Sequence, residues 1–228
     1  MRTYHILLAC FVAIWWSGCA TYKLEVGQVS LYHEGVQIVD SSKPQSKVRL
    51  EVGQSRVGSS NIIPLALFIS ARNLSKEAVI FDTSYVQLYQ NGKLIPPLHQ
   101  DELKTESFDY GYIIESYHLY IPPQPNIEPY TLGIPFVYGG YMGGFYMYPQ
   151  MFIISARERM QQQIRLDEQR AKRAIIVSSA MQKNTLEPNG APRGGFILYA
   201  PSKLQAGTLE LRVKVGYDEH TFTLQLRK

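Results

Sequence analysis

Apolar and polar residues alternate in a series of short segments, and this pattern restricts the possible folds more than any other part of the sequence. Leu209 to Val215 alternates without a break, and Lys47 to Val52 does the same. Successive side chains of a strand point to opposite faces, so each segment is predicted to be a strand with one buried face. Four more candidate strands lie at residues 62–71, 78–89, 194–199 and 222–226, and residues 26–39 are predicted to be a hairpin or a bulged strand.

The turns between these segments favour antiparallel pairing. Gln90-Asn91-Gly92-Lys93 is a strong hairpin signal, because Asn-Gly supplies the two positive-φ positions of a type I′ turn. The predicted fold is mainly β, an antiparallel sandwich whose architecture resembles the immunoglobulin-like domains of exported bacterial proteins. The likeness is architectural only, since both tryptophans, Trp15 and Trp16, precede every predicted strand.

The predicted strands form two blocks, at residues 26–95 and 194–227, and residues 98–190 between them are predicted to be an insertion at one end of the sandwich. Phe108, Tyr110, Tyr112 and Ile114 alternate and could form a further strand. A helix is predicted from about 156 to 181, because residues 155–158 have the Ser-x-x-Glu pattern of a capping box. Its basic residues could face an anionic lipid or acidic partner, although mixed signs favour a solvated face.

An uncharged stretch from Pro129 to Ala156 is rich in aromatic residues and glycine. Three interpretations remain open: a membrane helix with Gly-x-x-x-Gly spacing, a loop that contacts a protein or membrane surface, and a loop packed on its own domain. Glycine and proline make the helix the weakest of the three. The candidate contact residues are Tyr138, Tyr141, Phe145, Tyr146 and Tyr148.

The first 18 residues have the pattern of a cleavable export signal. Arg2 is followed by an apolar run from Ile6 to Trp16 and by the small residues Ser17 and Gly18. Eleven apolar residues are too few to span a bilayer, which needs roughly 20. Removal of this segment would leave Cys19 as the one cysteine of the mature chain, because Cys10 would be lost.

The triplet Ser17-Gly18-Cys19 resembles the lipobox of bacterial prolipoproteins, with Trp16 where that family has an aliphatic residue. The resemblance implies cleavage after Gly18 and a diacylglyceryl thioether on Cys19, which would anchor the protein to a membrane. Ala20 follows, whereas Asp in that place tends to retain such proteins in the inner membrane. The expected location is therefore the cell envelope, at the outer membrane facing the periplasm.

The predicted organisation is a signal peptide at 1–18, a lipidated N-terminus and tether at 19–27, and one β-sandwich domain at 28–228. The formal net charge of +4 drops to +3 without Arg2, which is too small to indicate nucleic-acid binding.

No catalytic motif or cofactor motif is recognised in the sequence. His99 with Asp101 and Glu102 is the nearest approach to a metal cluster, but three adjacent polar residues are more often simply solvated. We expect no catalytic site, no metal and no cofactor.

Three functional hypotheses follow. The first is a non-enzymatic envelope lipoprotein that acts as an interaction or assembly module, with its contact surface in residues 130–150 and an envelope protein as partner. The alternative is a periplasmic carrier with a lipid or small apolar ligand in a pocket under the insertion. The third is a hydrolase that sequence motifs do not reveal. The biological process and the oligomeric state stay open.

Overall fold

The computed structural model describes residues 21–59, 62–119 and 160–228. Most of the described segments are strands, which are joined by short turns. The strands are β1 (Thr21–Val26), β2 (Leu31–His33), β3 (Val36–Ser42), β4 (Ser46–Val52), β5 (Arg56–Gly58), β6 (Leu65–Asn73), β7 (Val79–Phe81), β8 (Val86–Gln90), β9 (Lys93–Ile95), β10 (Asn184–Leu186), β11 (Arg193–Tyr199), β12 (Gly207–Val215) and β13 (Asp218–Arg227). The helices are α1 (Gln100–Thr105), α2 (Tyr110–Ser116) and α3 (Met160–Ser179).

Two antiparallel sheets form the sandwich. The six-stranded sheet has the order β5-β1-β13-β12-β8-β9, and the five-stranded sheet has the order β11-β6-β4-β3-β2. The remaining two strands of the described residues, β7 and β10, form a separate antiparallel pair. The prediction of a mainly β antiparallel sandwich is therefore confirmed, whereas the immunoglobulin-like arrangement and the insertion stay predictions.

The main hydrophobic core lies between the two sheets. Leu50 and Leu67 from the five-stranded sheet belong to the same buried cluster as Leu211 and Leu224 from the six-stranded sheet. In β12 and β13 the buried residues alternate with more exposed ones, as predicted for strands with one wet face. The outer face of the six-stranded sheet is accordingly polar.

A layer of helices covers the outer face of the five-stranded sheet. Phe68 and Phe196 on that face form a second buried cluster with Ile113 and Tyr117 of the α2 region and Ile176 of α3. The rings of Tyr117 and Phe196 meet edge to face with centroids 4.9 Å apart. Strand β6 is consequently buried on both faces, which explains why its apolar residues run consecutively from Leu65 to Ile69.

The alternation at Phe108, Tyr110, Tyr112 and Ile114 does not form a strand, so that prediction was wrong. These residues lie in and just before helix α2, which Asp109 caps by accepting a hydrogen bond from the Tyr112 N–H. The buried residues Tyr110, Ile113, Ile114 and Tyr117 have helical spacing. Alternating aromatic residues concealed this pattern, because Tyr112 is apolar in character yet lies on the more exposed side.

Most of the other predicted strands are found, with shifted ends. The Asn91-Gly92 turn has φ values of 51° and 74°, as a type I′ hairpin between β8 and β9 requires. Residues 78–89 are two strands rather than one, because Asp82 caps a 3-10 turn at Thr83–Tyr85 between them. The first strand begins at Thr21, earlier than the sequence pattern places it. The helix predicted from about 156 is described from Met160, and its proposed capping box lies outside the described residues.

Candidate functional site

The predicted lipidation residue, Cys19, lies outside the described residues, which begin at Thr21. Thr21 is already the first residue of β1. Two residues of chain span at most about 7 Å, so an anchor on Cys19 would be held close to the folded domain. Strand β1 is hydrogen-bonded on both sides, to β5 and to β13.

A row of basic side chains crosses the sheet at this same end. Lys23 of β1 lies directly opposite Arg56 of β5 on one side and Arg227 of β13 on the other. Glu25 partly neutralises the row, with its carboxylate oxygens 2.9 Å from Lys23 Nζ and 3.1 Å from Arg227 Nε. The Lys23 hydrogen bond lowers the pKa of Glu25, and the charge of Arg227 acts in the same direction. The row keeps a net positive charge and is largely exposed.

The aromatic contact candidates, Tyr138, Tyr141, Phe145, Tyr146 and Tyr148, all lie outside the described residues. The chain enters their segment after α2 and leaves it into α3. Both helices belong to the layer on the outer face of the five-stranded sheet, where α3 contacts α1 and α2. Arg173 of α3 reinforces this layer, because it donates hydrogen bonds to the carbonyl oxygens of Lys104 and Glu106 at 2.6 and 3.2 Å.

His99, Asp101 and Glu102 lie at the start of α1. The Glu102 carboxylate accepts a hydrogen bond from the backbone N–H of His99 at 2.7 Å, which closes the first turn of the helix. Acidic side chains in that turn also interact favourably with the helix dipole. Within the described residues, no group of three or more His, Cys, Asp or Glu side chains has the arrangement of a metal site.

A buried polar network between the sheets was missed by the sequence analysis. It connects Ser41 and Ser46 of the five-stranded sheet with Asp218 and His220 of β13 in the six-stranded sheet. His220 Nε2 is 2.8 Å from Ser46 Oγ, and His220 Nδ1 is 2.8 Å from Ser41 Oγ. Ser46 Oγ also lies 2.7 Å from Asp218 Oδ2. That carboxylate oxygen accepts a second hydrogen bond, from the Gln45 N–H at 2.9 Å.

The network fixes the direction of each hydrogen bond. Ser46 has a single hydroxyl proton, which it donates to the Asp218 carboxylate, so its oxygen accepts from His220 Nε2–H. Nδ1 of the neutral imidazole is then an acceptor for the hydroxyl of Ser41. We assign the Nε2–H tautomer on this basis.

Serine, histidine and aspartate are also the residue types of hydrolase triads, but this arrangement differs from one. In a triad, the aspartate accepts a hydrogen bond from the second nitrogen of the histidine and so orients the general base. Here the aspartate contacts the serine instead. His220 and Ser46 have no exposed surface, so a substrate has no access to the Ser46 hydroxyl in this conformation. The network therefore joins the two sheets. No sequence motif predicts this network, because the two serines precede the aspartate and histidine by more than 170 residues.

The described residues thus define a class of architecture, an antiparallel β-sandwich with helices on one face. Among the described helices, none combines the length and apolar character that crossing a bilayer needs. Comparison with known proteins returns no matching family model, no matching curated protein and no matching solved structure. Functional inference therefore rests on the residues of this chain.

Proposed function

We propose that this protein is a lipid-anchored component of the bacterial cell envelope that acts as a non-enzymatic interaction or assembly module. The observation that carries the proposal is the position of Thr21, which begins a strand two residues after the lipobox cysteine. A lipid on Cys19 would hold that end of the sandwich at the bilayer, with almost no flexible tether. Because Ala20 follows the cysteine, the proposed location is the outer membrane, facing the periplasm.

The row of basic side chains supports this orientation. Lys23, Arg56 and Arg227 lie on one face of the sheet within a few residues of the proposed anchor. Basic residues at the surface of an anionic membrane each contribute about 1 kcal/mol of attraction. An electrostatic contact of this kind would add to the acyl chains and restrict the tilt of the domain.

We place the contact surface for an envelope partner in residues 130–150, through Tyr138, Tyr141, Phe145, Tyr146 and Tyr148. Tyrosine offers a large contact area at a small entropic cost, which is why it is common in protein interfaces. The helices that precede and follow this segment are anchored on the sandwich by a buried aromatic cluster.

No observation in the described residues favours the alternative function, a carrier of an apolar ligand. The space between the helical layer and the five-stranded sheet is filled by side chains such as Phe68, Tyr117 and Phe196. The ring centroids of Phe68 and Phe196 are 5.2 Å apart, which is ordinary packing distance for an edge-to-face pair.

Metabolic labelling with palmitate tests the anchor. The Cys19→Ala variant should lose the label and leave the membrane fraction, whereas Cys10→Ala, in the same precursor, should keep both. Retention of the label by Cys19→Ala would overturn the anchor. Separation of inner and outer membranes on a density gradient tests the location, and recovery with the inner membrane would contradict it.

Site-specific photocrosslinking in cells tests the contact surface. A photoreactive residue at Tyr141 or Tyr146 should crosslink to one and the same envelope protein. The matched control is Tyr217, a tyrosine that is 93% exposed in the turn between β12 and β13. Equal crosslinking from Tyr217, or none from the segment, would contradict the proposal. Deletion of residues 139–144 should abolish the crosslink from a photoreactive residue at Tyr146 without lowering the melting temperature.

A further inference from the structure

A cavity of about 190 Å³ lies on the outer face of the five-stranded sheet, at the end that the described helices leave uncovered. The apolar residues Ile38 and Phe68 lie under the helical layer. Two positions further along the same strands, the face becomes polar, with Asp40 in β3 and Ser70 in β6. The face thus changes from apolar to polar where the helical layer ends.

The charges around this cavity are unbalanced. Lys47 of β4 lies directly opposite Arg72 of β6, and both line the cavity. Like charges directly opposite each other in a sheet are destabilising, so the pairing of these two side chains does not itself stabilise the fold. An anion located between the two side chains would remove the repulsion.

The remaining arginine of the cavity, Arg49, already has an acidic partner. Its Nε and Nη2 atoms donate two parallel hydrogen bonds of 2.7 Å to the Asp40 carboxylate. This bidentate pair neutralises one positive charge and fixes Arg49 in place. The positive charges of Lys47 and Arg72 therefore remain as the net charge of the lining residues.

Two buried donors at the cavity have no partner in the described part of the chain. Ser70 is 5% exposed, and its hydroxyl makes no hydrogen bond there. Arg72 Nε is also buried and unpaired, although Nη2 of the same side chain donates to the Asn189 carbonyl at 3.0 Å. Leaving a buried polar group unpaired is costly, so two such donors lining one cavity indicate a ligand that supplies acceptors.

We propose that this cavity binds an oxyanion, a phosphate group in particular, through Arg72, Ser70 and Lys47. The guanidinium would donate from Nε, the serine would donate its hydroxyl, and the ammonium would balance the charge at the exposed rim. A cavity of this size holds several water molecules and therefore has room for a tetrahedral phosphate group. The phosphate group could belong to a free ion or to a lipid headgroup. This proposal does not depend on the anchor at Cys19.

Calorimetric titration of the purified full-length protein with inorganic phosphate and with glycerol 1-phosphate tests the site. Each probe should bind with a dissociation constant in the millimolar range or below, and added salt should weaken the binding. Tighter binding of glycerol 1-phosphate would indicate a lipid headgroup as the source, and equal binding would indicate the free ion. Either result supports the site. The absence of binding heat for both probes at concentrations up to about 20 mM would overturn it.

Two variants distinguish this site from non-specific charge. Arg72→Gln and Ser70→Ala should each weaken phosphate binding by about tenfold, since each removes one hydrogen bond to a charged ligand. Lys214→Gln is the matched control, because it removes a basic residue of β12 in the other sheet and should leave the affinity unchanged. Equal weakening by Lys214→Gln would overturn the site.

Ser70→Ala also separates ligand binding from a structural role. Without phosphate, the buried hydroxyl has no partner to offset its desolvation, so the variant should melt at the same temperature as the parent or higher. With phosphate, the parent should gain more thermal stability than the variant. A lower melting temperature of Ser70→Ala without phosphate, together with unchanged phosphate affinity, would show that the hydroxyl serves the fold and would overturn the proposal.

Discussion

The side chains of His220 and Ser46 share a 2.8 Å hydrogen bond that connects the two sheets of the sandwich. His220 belongs to β13 in the six-stranded sheet, and Ser46 begins β4 in the five-stranded sheet. Both residues are fully buried, so each depends on the other to satisfy a polar atom away from water. This dependence makes the sandwich sensitive to the protonation of one imidazole.

We expect the stability of the fold to decrease as the pH falls below about 6.5. Burial lowers the pKa of His220 below its ordinary value of 6.5; the charge of Asp218 opposes this shift, and that of Lys43 adds to it. Because the unfolded chain binds the proton more readily, acid favours unfolding between the ordinary pKa and the lower folded-state pKa. Urea unfolding at several pH values between 7.5 and 5 measures the effect.

The His220→Gln variant provides the control for this pH dependence. It should lose stability at pH 7.5 but show a flatter profile between pH 7 and 5, because the titrating group is gone. His99→Gln, which changes an exposed histidine at the start of α1, should keep the profile of the parent. An unchanged slope in His220→Gln would assign the pH dependence to other groups.

The two serines of the network should contribute unequally. Ser46→Ala leaves a buried imidazole N–H and a carboxylate oxygen with one partner fewer, so we expect a loss of about 2 kcal/mol. Ser41 is partly exposed, and water can replace its hydroxyl, so Ser41→Ala should cost about 1 kcal/mol or less. Chemical denaturation measures both, and a larger loss for Ser41→Ala would contradict the proposed directions of the hydrogen bonds.

Tyr117 should be a main anchor of the helical layer. Its ring is buried against Phe196, and its hydroxyl lies 2.8 Å from the carbonyl oxygen of Ala66 and 3.0 Å from that of Glu51. Burial raises the pKa of Tyr117 well above its ordinary value, so the hydroxyl stays protonated and donates. Tyr117→Phe should cost about 1 kcal/mol, and Tyr117→Ala about 3–5 kcal/mol.

Thermal and chemical unfolding of the two Tyr117 variants measure these losses. Tyr112→Phe is a suitable comparison, because Tyr112 lies in α2, which Tyr117 directly follows, but is less buried than Tyr117, and its hydroxyl is 3.1 Å from Ser55. A loss from Tyr117→Ala no larger than that from Tyr112→Phe would show that the helical layer does not depend on the buried ring.

The basic row should promote binding to anionic membranes even without the lipid. In the mature chain carrying Cys19→Ala, Lys23→Gln or Arg227→Gln should lower the affinity for vesicles containing anionic lipid by about fivefold at low salt. Lys214→Gln, which removes an exposed basic residue of β12, should have a smaller effect. Co-sedimentation measures the affinities, and equal losses in all three variants would indicate general charge attraction instead.

The strands were predictable from the sequence where one face of the sheet is exposed to solvent and the other is buried. Leu209 to Val215 alternates because β12 has the core on one side and water on the other. The same rule failed at Tyr110 and Tyr112, because alternation and helical spacing coincide over a few aromatic residues. The wrong strand at 108–114 thus came from a short window, and the full set from Tyr110 to Tyr117 has helical spacing.

Among the candidate sites, those made of residues close together in the chain were predictable, and those made of distant residues were not. The anchor at Cys19 and the contact residues from Tyr138 to Tyr148 were predicted from local sequence and stay predictions. The network of His220 and the cavity at Ser70 could not be predicted, because their members come from strands that only the sheet order brings together. A buried serine or arginine has no distinguishing sequence signal.

The sequence alone predicted local structure that the fold confirms: alternating strands, the Asn91-Gly92 hairpin and a long helix, which is described from Met160. The export signal and the lipid anchor at Cys19 stay predictions. Those features depend on side chains close together in the chain. The helical layer on one sheet, the pairing of Lys47 with Arg72 and the contact of His220 with Ser46 arise from tertiary packing. Pairings of this kind depend on strand register and burial, which arise when segments far apart in the chain pack together.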